Sequence, residues 1–288
     1  MMDLHTHSSY SDGICTPNQL LKLAEDHKLC YFAITDHDNM EAYQHMEEQQ
    51  LFHGTLVPGI EMTFSYRGLT MDMLGYGVDR KRMEASGLLH HHDEAKIMRR
   101  EQSRLDSLFT ICEGLGLKIN RQVRIKASYE RANDVLCDQL MAYPENKIRL
   151  DEMHIKNRTT FYRNHYLNPK SPFYMEQEKH APGMKLVADA IHASGGLTFL
   201  AHPFVYDVSD TWKLIDQLVD EQLLDGIECL HRRHTWTNSE QLLDYCDRHH
   251  LYKSGGSDLH KVEHGLGHGD NGTRIVSETI ALEWLKNL

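Results

Sequence analysis

The chain opens Met1-Met2-Asp3-Leu4-His5-Thr6-His7-Ser8-Ser9-Tyr10-Ser11-Asp12-Gly13, and this stretch sets the reading of everything after it. Asp3-Leu4-His5 reads as a short strand running into polar residues. Residues i and i+2 of an extended chain share a face, so His5 and His7 present two imidazoles side by side. Ser11-Asp12-Gly13 is a turn signal that folds a carboxylate back over that pair. Near the other end, Ser257-Asp258-Leu259-His260 repeats the spacing with an acid and a histidine. Imidazole with carboxylate suits a divalent transition metal. The two ends carry the ingredients of one site assembled from distant strands.

Bulk properties narrow the class. The 288 residues suffice for one large domain or a domain carrying an insertion. Lys and Arg number 31 against 42 Asp and Glu, a net charge of −11, which argues against a broad electrostatic face for duplex DNA. An anionic substrate stays open, because bound cations invert the local potential. No apolar run approaches the ~20 residues of a membrane span, and the first residues are too polar for a signal peptide. The six cysteines scatter without C-x-x-C spacing. The expectation is a cytoplasmic protein with reduced core thiols. With 21 histidines, position must discriminate. His90-His91-His92 reads as a solvated helix face, since consecutive residues spread around a helix. His249, His250, His264 and His268 read as surface or loop residues.

Outward from the opening loop, Thr16 and Pro17 start a helix over 17–27. A buried-strand pattern over 31–34 ends in Thr35-Asp36-His37-Asp38, and Asn39 caps a second helix to about residue 50. Strands follow over 56–62 and 71–78. Between about 80 and 180 charged, helix-favouring residues dominate. Alternation then resumes: a helix over 184–193, a strand over 197–201 ending in His202-Pro203, a helix over 212–221, a strand over 226–230, and a helix over 241–248 before Ser254-Gly255-Gly256-Ser257-Asp258. This pattern predicts an α/β, barrel-like layout with its site at the C-terminal strand ends, where His5, His37 and Glu61 fall.

At this point the residues resemble a known family. His5-Thr6-His7 with Ser11-Asp12-Gly13, Thr35-Asp36-His37-Asp38, Gly59-Ile60-Glu61, Leu200-Ala201-His202-Pro203 and Gly256-Ser257-Asp258-Leu259-His260 are similar, in order, to the motifs of the PHP (polymerase and histidinol phosphatase) family. The resemblance implies a distorted (β/α)7 barrel over 1–80 and 181–288, with a mostly helical insertion, a cap, over 81–180. The insertion is similar to that of small family members acting on nucleotides. Arg131 stands where those proteins carry an R-x-H substrate motif, and Pro172-x-Tyr174 matches another of their segments. The chain departs from the pattern at Asp72, where histidine is usual, and at Asn133 in place of the R-x-H histidine.

Carried over residue by residue, the resemblance implies two or three divalent ions, Mn, Zn or Fe. His5, His7, Glu61 and Asp258 would surround one, and Asp12, His37 and His260 another. Glu61 and His202 would support a bridging or third position, with Asp72 beside them. Asp36 and Asp38 read as supporting or capping groups. The implied reaction is hydrolysis of a phosphate monoester on a small nucleotide, of the AMP or 3′,5′-bisphosphate type, by a hydroxide held between cations. His202 or His234 would protonate the leaving oxygen, and Arg131 and His234 would contact substrate. Short oligonucleotide ends are a further substrate form; no membrane partner is expected. The competing expectations are a histidinol-phosphate phosphatase and a metal-binding PHP domain without catalysis.

Overall fold

A computed structural model describes residues 1–46, 51–175, 181–206 and 208–288. The chain divides into two units, Met1–His92 with Ala181–Leu288, and Asp93–His180. In the first, β1 (Met2–Asp3), β2 (Tyr31–Phe32) and β3 (Thr55–Leu56) form a parallel sheet in that order. A second sheet runs β4 (Gly59–Tyr66), β5 (Leu69–Tyr76), β6 (Leu197–Leu200), β7 (Gly226–His231), β8 (Tyr252–Gly256).

The second sheet is mixed in direction. β4 and β5 pair antiparallel, as do β5 and β6, whereas β6, β7 and β8 run parallel. Strand pairing therefore gives an α/β fold with one parallel and one mixed sheet. The antiparallel pair is a hairpin whose two turn residues, Arg67 and Gly68, both have positive φ (48° and 84°), the conformation that matches strand twist in a tight hairpin. The strand expected over 56–62 is also broken. Pro58 has no N–H for a ladder, and β4 begins after it and runs on to Tyr66.

Alternation along β4 decides what each side chain meets. Ile60, Met62, Phe64 and Tyr66 enter the largest apolar cluster with Ile191, Leu200, Leu214 and Ile227. The intervening Glu61 points to the opposite face and is also fully buried. A smaller cluster stacks Tyr76 on Trp284 (ring centroids 5.1 Å) and sets Phe199 tilted against Trp284 (4.9 Å), with the indole donating to the Lys253 carbonyl at 2.9 Å. Trp284→Ala empties this position, and urea unfolding should show a loss of about 3–5 kcal/mol.

The helix Pro17–Asp26 forms where expected, closed by a Thr16–Gln19 capping box and packed through Leu20, Leu21 and Ala24. Met184–Ala193 and Thr211–Asp220 match their sequence signals. Trp236–His249 starts earlier than periodicity indicates, because Thr235 caps it. After Asn39 there is a 3-10 turn, Glu41–Gln44; the end of the helix expected to about residue 50 lies outside the described residues. Five cysteines are buried, but Cys30 is exposed, so it is not a core thiol.

The second unit is helical, with Glu94–Gly114, Ala132–Ala142, Lys147–Glu152 and Arg158–Phe161. It has its own core of Leu105, Leu108, Phe109, Cys112, Leu136, Phe161 and Phe173. Among the described residues no helix is long and apolar enough to cross a membrane.

Candidate metal centre

The site is built by chain segments leaving strand ends. The Leu4 N–H donates to the Gly255 carbonyl (3.1 Å), the Asp258 N–H to His5 (2.8 Å) and the His7 N–H to Leu259 (2.9 Å). These bonds lay His5-Thr6-His7 beside Asp258-Leu259-His260. The approach is so close that a Cβ on Gly256 would sit 2.1 Å from that of His5. Gly13 is similarly constrained: a Cβ there would lie 1.9 Å from the His7 carbonyl oxygen, which is how the turn brings Asp12 back over the pair. His37 bridges to Glu61, and the Asp38 N–H donates to the Glu61 carbonyl at 2.8 Å. Glu61 departs from the expected strand end; it is the third residue of β4, set back by the Pro58 break.

Glu61 Oε2 is the point of convergence. It lies 3.2 Å from His5 Nε2, 3.2 Å from His7 Nε2 and 3.3 Å from His37 Nδ1. Its other oxygen is 2.9 Å from His202 Nε2. Asp258 Oδ1 stands 3.1 Å from His7 Nε2 and 3.3 Å from His260 Nδ1. Asp12 Oδ1 is 3.1 Å from His260 Nε2 and 3.8 Å from His37 Nε2. Asp72 is looser: it is 4.0 Å from His202 Nε2, and its Oδ1 accepts from the Thr63 hydroxyl at 3.1 Å.

Three overlapping donor groups result: His7, Asp12, His37 and His260; His5, His7 and Glu61; His37, Glu61 and Asp72. They fit divalent cations on their own terms. His5 and His7 bring two ring nitrogens within 3.1 Å of each other. Glu61 Oε2 and His7 Nδ1 are buried with no hydrogen-bond partner among the described residues. Buried polar atoms left so are normally satisfied by an ion or water, and imidazole with carboxylate suits Zn, Mn or Fe.

In the metal-free protein, protons take the place of cations. Burial alone would lower the His7 imidazole, but the facing carboxylates of Asp258 and Glu61 outweigh it and raise it to about 10. Against the same burial, Glu61 raises His202 to about 9. Burial, with Glu61 nearby, pushes the Asp72 carboxyl up to about 7. Both histidines bind protons more tightly folded than unfolded. Their contribution to stability is therefore complete below about pH 6.5 and disappears as pH rises through 9–10. Metal affinity runs the other way, because ligands must lose protons. Thermal melts of chelator-stripped protein should show Tm falling from pH 7 to 10, and added Zn or Mn should reverse the fall.

Other expected residues are placed differently. His234, expected to contact substrate, has its ring fully enclosed against Phe204 and His231, with Nδ1 3.2 Å from the Cys229 carbonyl. Burial and the neighbouring His231 hold it down at about 3. Arg131 lies in the helical unit, exposed, at the N-cap of Ala132–Ala142, and Asn133 behind it is buried. His90, His91 and His92 are on irregular chain, not a helix, held by bonds to the Asp38 carbonyl, Glu41 and the Tyr10 carbonyl. His268 is fully buried, not a surface residue.

Sequence reasoning passed over two groups. Glu228 in β7 lies 3.0 Å from His5 Nδ1 and is fully buried. His231 Nδ1 accepts the Arg233 N–H (3.2 Å), which leaves its Nε2–H to face Asp258 Oδ2 at 3.4 Å. The available signal was an acid amid the apolar residues of a strand, as at Glu61. Asp36, read as a supporting group, accepts from the Ser8 N–H and the Ser8 and Ser11 hydroxyls, bracing the loop that leads to Asp12.

A family model described as PHP domain matches residues 3–164, more than half of the chain. A 3′,5′-nucleoside bisphosphate phosphatase of Chromobacterium violaceum is 27% identical, aligned over 94% of this chain and 92% of its own length. A 5′-3′ exoribonuclease of Escherichia coli is 26% identical over 90% of this chain and 85% of its own. Among solved structures, one described as a metal-dependent phosphoesterase, from Bifidobacterium adolescentis, superposes with a TM-score of 0.61. It shares 26% identity, over 95% of this chain and 92% of that one.

Proposed function

Since the chain belongs to the PHP domain family, and its relatives there hydrolyse phosphate esters, we propose that it removes phosphate from a small nucleotide of the AMP or 3′,5′-bisphosphate type. The observation that carries this reading is the convergence of three imidazoles on Glu61 Oε2 within 3.3 Å. We assign His5, His7, Glu61 and Asp258 to one cation, and Asp12, His37 and His260 to a second. His202 and Asp72 support a third position beside Glu61. The bridges His37↔Glu61 and Thr6↔Leu259 support reading the two sheets as parts of one distorted barrel.

Bound cations would supply an activated water and neutralise the charge that builds on the phosphoryl group. The chain's own work is to hold donors in place without rearrangement. Glu61 and Asp258 each face several imidazoles, and the bonds between strand ends fix their spacing. His202 carries the proton for the leaving oxygen in states where no cation sits beside it. His234, held neutral, is not assigned that role.

The test is a panel of phosphate esters, with AMP, a 3′,5′-bisphosphate nucleotide, a short 5′-phosphorylated oligonucleotide and histidinol phosphate, assayed with Mn, Zn and Fe. Nucleotide turnover should exceed that of histidinol phosphate. Release from none of them by metal-loaded protein would leave only a metal-binding domain.

A further inference from the structure

We propose that Glu228 is a positioning residue of this centre, setting the tautomer of His5 with one carboxylate oxygen and the backbone turn at His202 with the other. The inference rests on the assignment of His5 and His202 as ligands made above.

Glu228 lies in the middle of β7, where every residue is buried. Its Oε1 is 3.0 Å from His5 Nδ1. A carboxylate only accepts, so Nδ1 carries the proton. In the neutral ring this leaves the Nε2 lone pair pointing at the common centre, 3.1 Å from His7 Nε2 and 3.2 Å from Glu61 Oε2. That is the tautomer an imidazole must hold to bind a cation through Nε2. Without an acceptor at Nδ1, the ring is free to place its proton where the metal belongs.

The second oxygen acts on a different strand. Glu228 Oε2 accepts the His202 backbone N–H at 2.7 Å. His202 sits at φ 29°, ψ 60°, a left-handed backbone that an L residue with a bulky ring adopts rarely. It also precedes Pro203, which disfavours the right-handed helical alternative. A short bond to an ionised acceptor in a buried setting is among the stronger hydrogen bonds available, and here it anchors the residue whose ring must face Glu61. One carboxylate thus couples the ends of β1 and β6, from which two ligands project.

Glu228→Gln keeps the volume but leaves one accepting oxygen where two are used, so one of the two bonds must break. With 15N-histidine-labelled, zinc-loaded protein, wild type should show His5, assigned by comparison with His5→Asn, in the Nδ1–H form with Nε2 bound. In Glu228→Gln that pattern should be lost or mixed, and zinc affinity should fall by about 10–100-fold. kcat should drop and recover in part at high metal concentration, while Tm moves by only a few degrees. If Glu228→Gln does not fold, Glu228→Asp takes its place, with zinc affinity expected between those limits. An unchanged His5 pattern with zinc affinity within about twofold of wild type, in whichever variant folds, overturns the positioning role alone. Wild type that takes up no zinc overturns the metal assignment beneath it.

Discussion

Glu61→Gln is expected to lower phosphate release on the order of a thousandfold while the protein stays folded. One oxygen of this carboxylate faces three imidazole nitrogens and the other faces a fourth. Replacing it with an amide keeps the shape, removes the charge, and points N–H bonds at groups that also need to donate or to bind a cation. The loss should appear in kcat more than in KM, because Glu61 holds the machinery and not the body of the substrate. Metal analysis of the purified variant should show a lower metal-to-protein ratio. Full activity with unchanged metal content would remove Glu61 from the centre of the site.

The second large effect is expected at Asp258. This residue holds φ 53°, a left-handed conformation that asparagine adopts almost as readily as aspartate. Asp258→Asn therefore separates charge from backbone. Its Oδ1 can still accept from His231, whose Nε2 lies 3.4 Å from the native carboxylate, so the loop should keep its shape. What disappears is the anion between His7, at 3.1 Å, and His260, at 3.3 Å. Activity should fall about a hundredfold to a thousandfold with little change in Tm. Asp258→Ala should add a loss of stability, since alanine tolerates that backbone poorly. Equal melting temperatures for the two variants would contradict this division.

Much of the site was legible because its signals are local. Two-residue periodicity places His5 and His7 on one face, Ser11-Asp12-Gly13 turns back as its composition requires, and Thr16 with Pro17 announces a helix start. What escaped depends on partners remote in sequence. The hairpin at Arg67-Gly68 was hidden because its strands read equally well as members of a parallel sheet; only the register, from Gly59 opposite Tyr76 to Tyr66 opposite Leu69, shows their direction. Glu228 was obscured by apolar neighbours that make its strand look like plain core. The burial of His234 and His268 comes from segments that pack over them. His90 to His92 lose their helical reading to bonds with Asp38, Glu41 and Tyr10, which no local pattern encodes.

The left-handed backbones at Asp38, His202 and Asp258 (φ 49°, 29° and 53°) carry a consequence for how this chain responds to selection. Each costs of order 1–3 kcal/mol against an unstrained residue, and glycine would relieve all three. Laboratory evolution for heat resistance alone should therefore accumulate glycine at these positions and yield sturdier molecules with no turnover. Imposing a catalytic screen in the same experiment should hold all three side chains in place and push thermal gains out to the helices and surface loops.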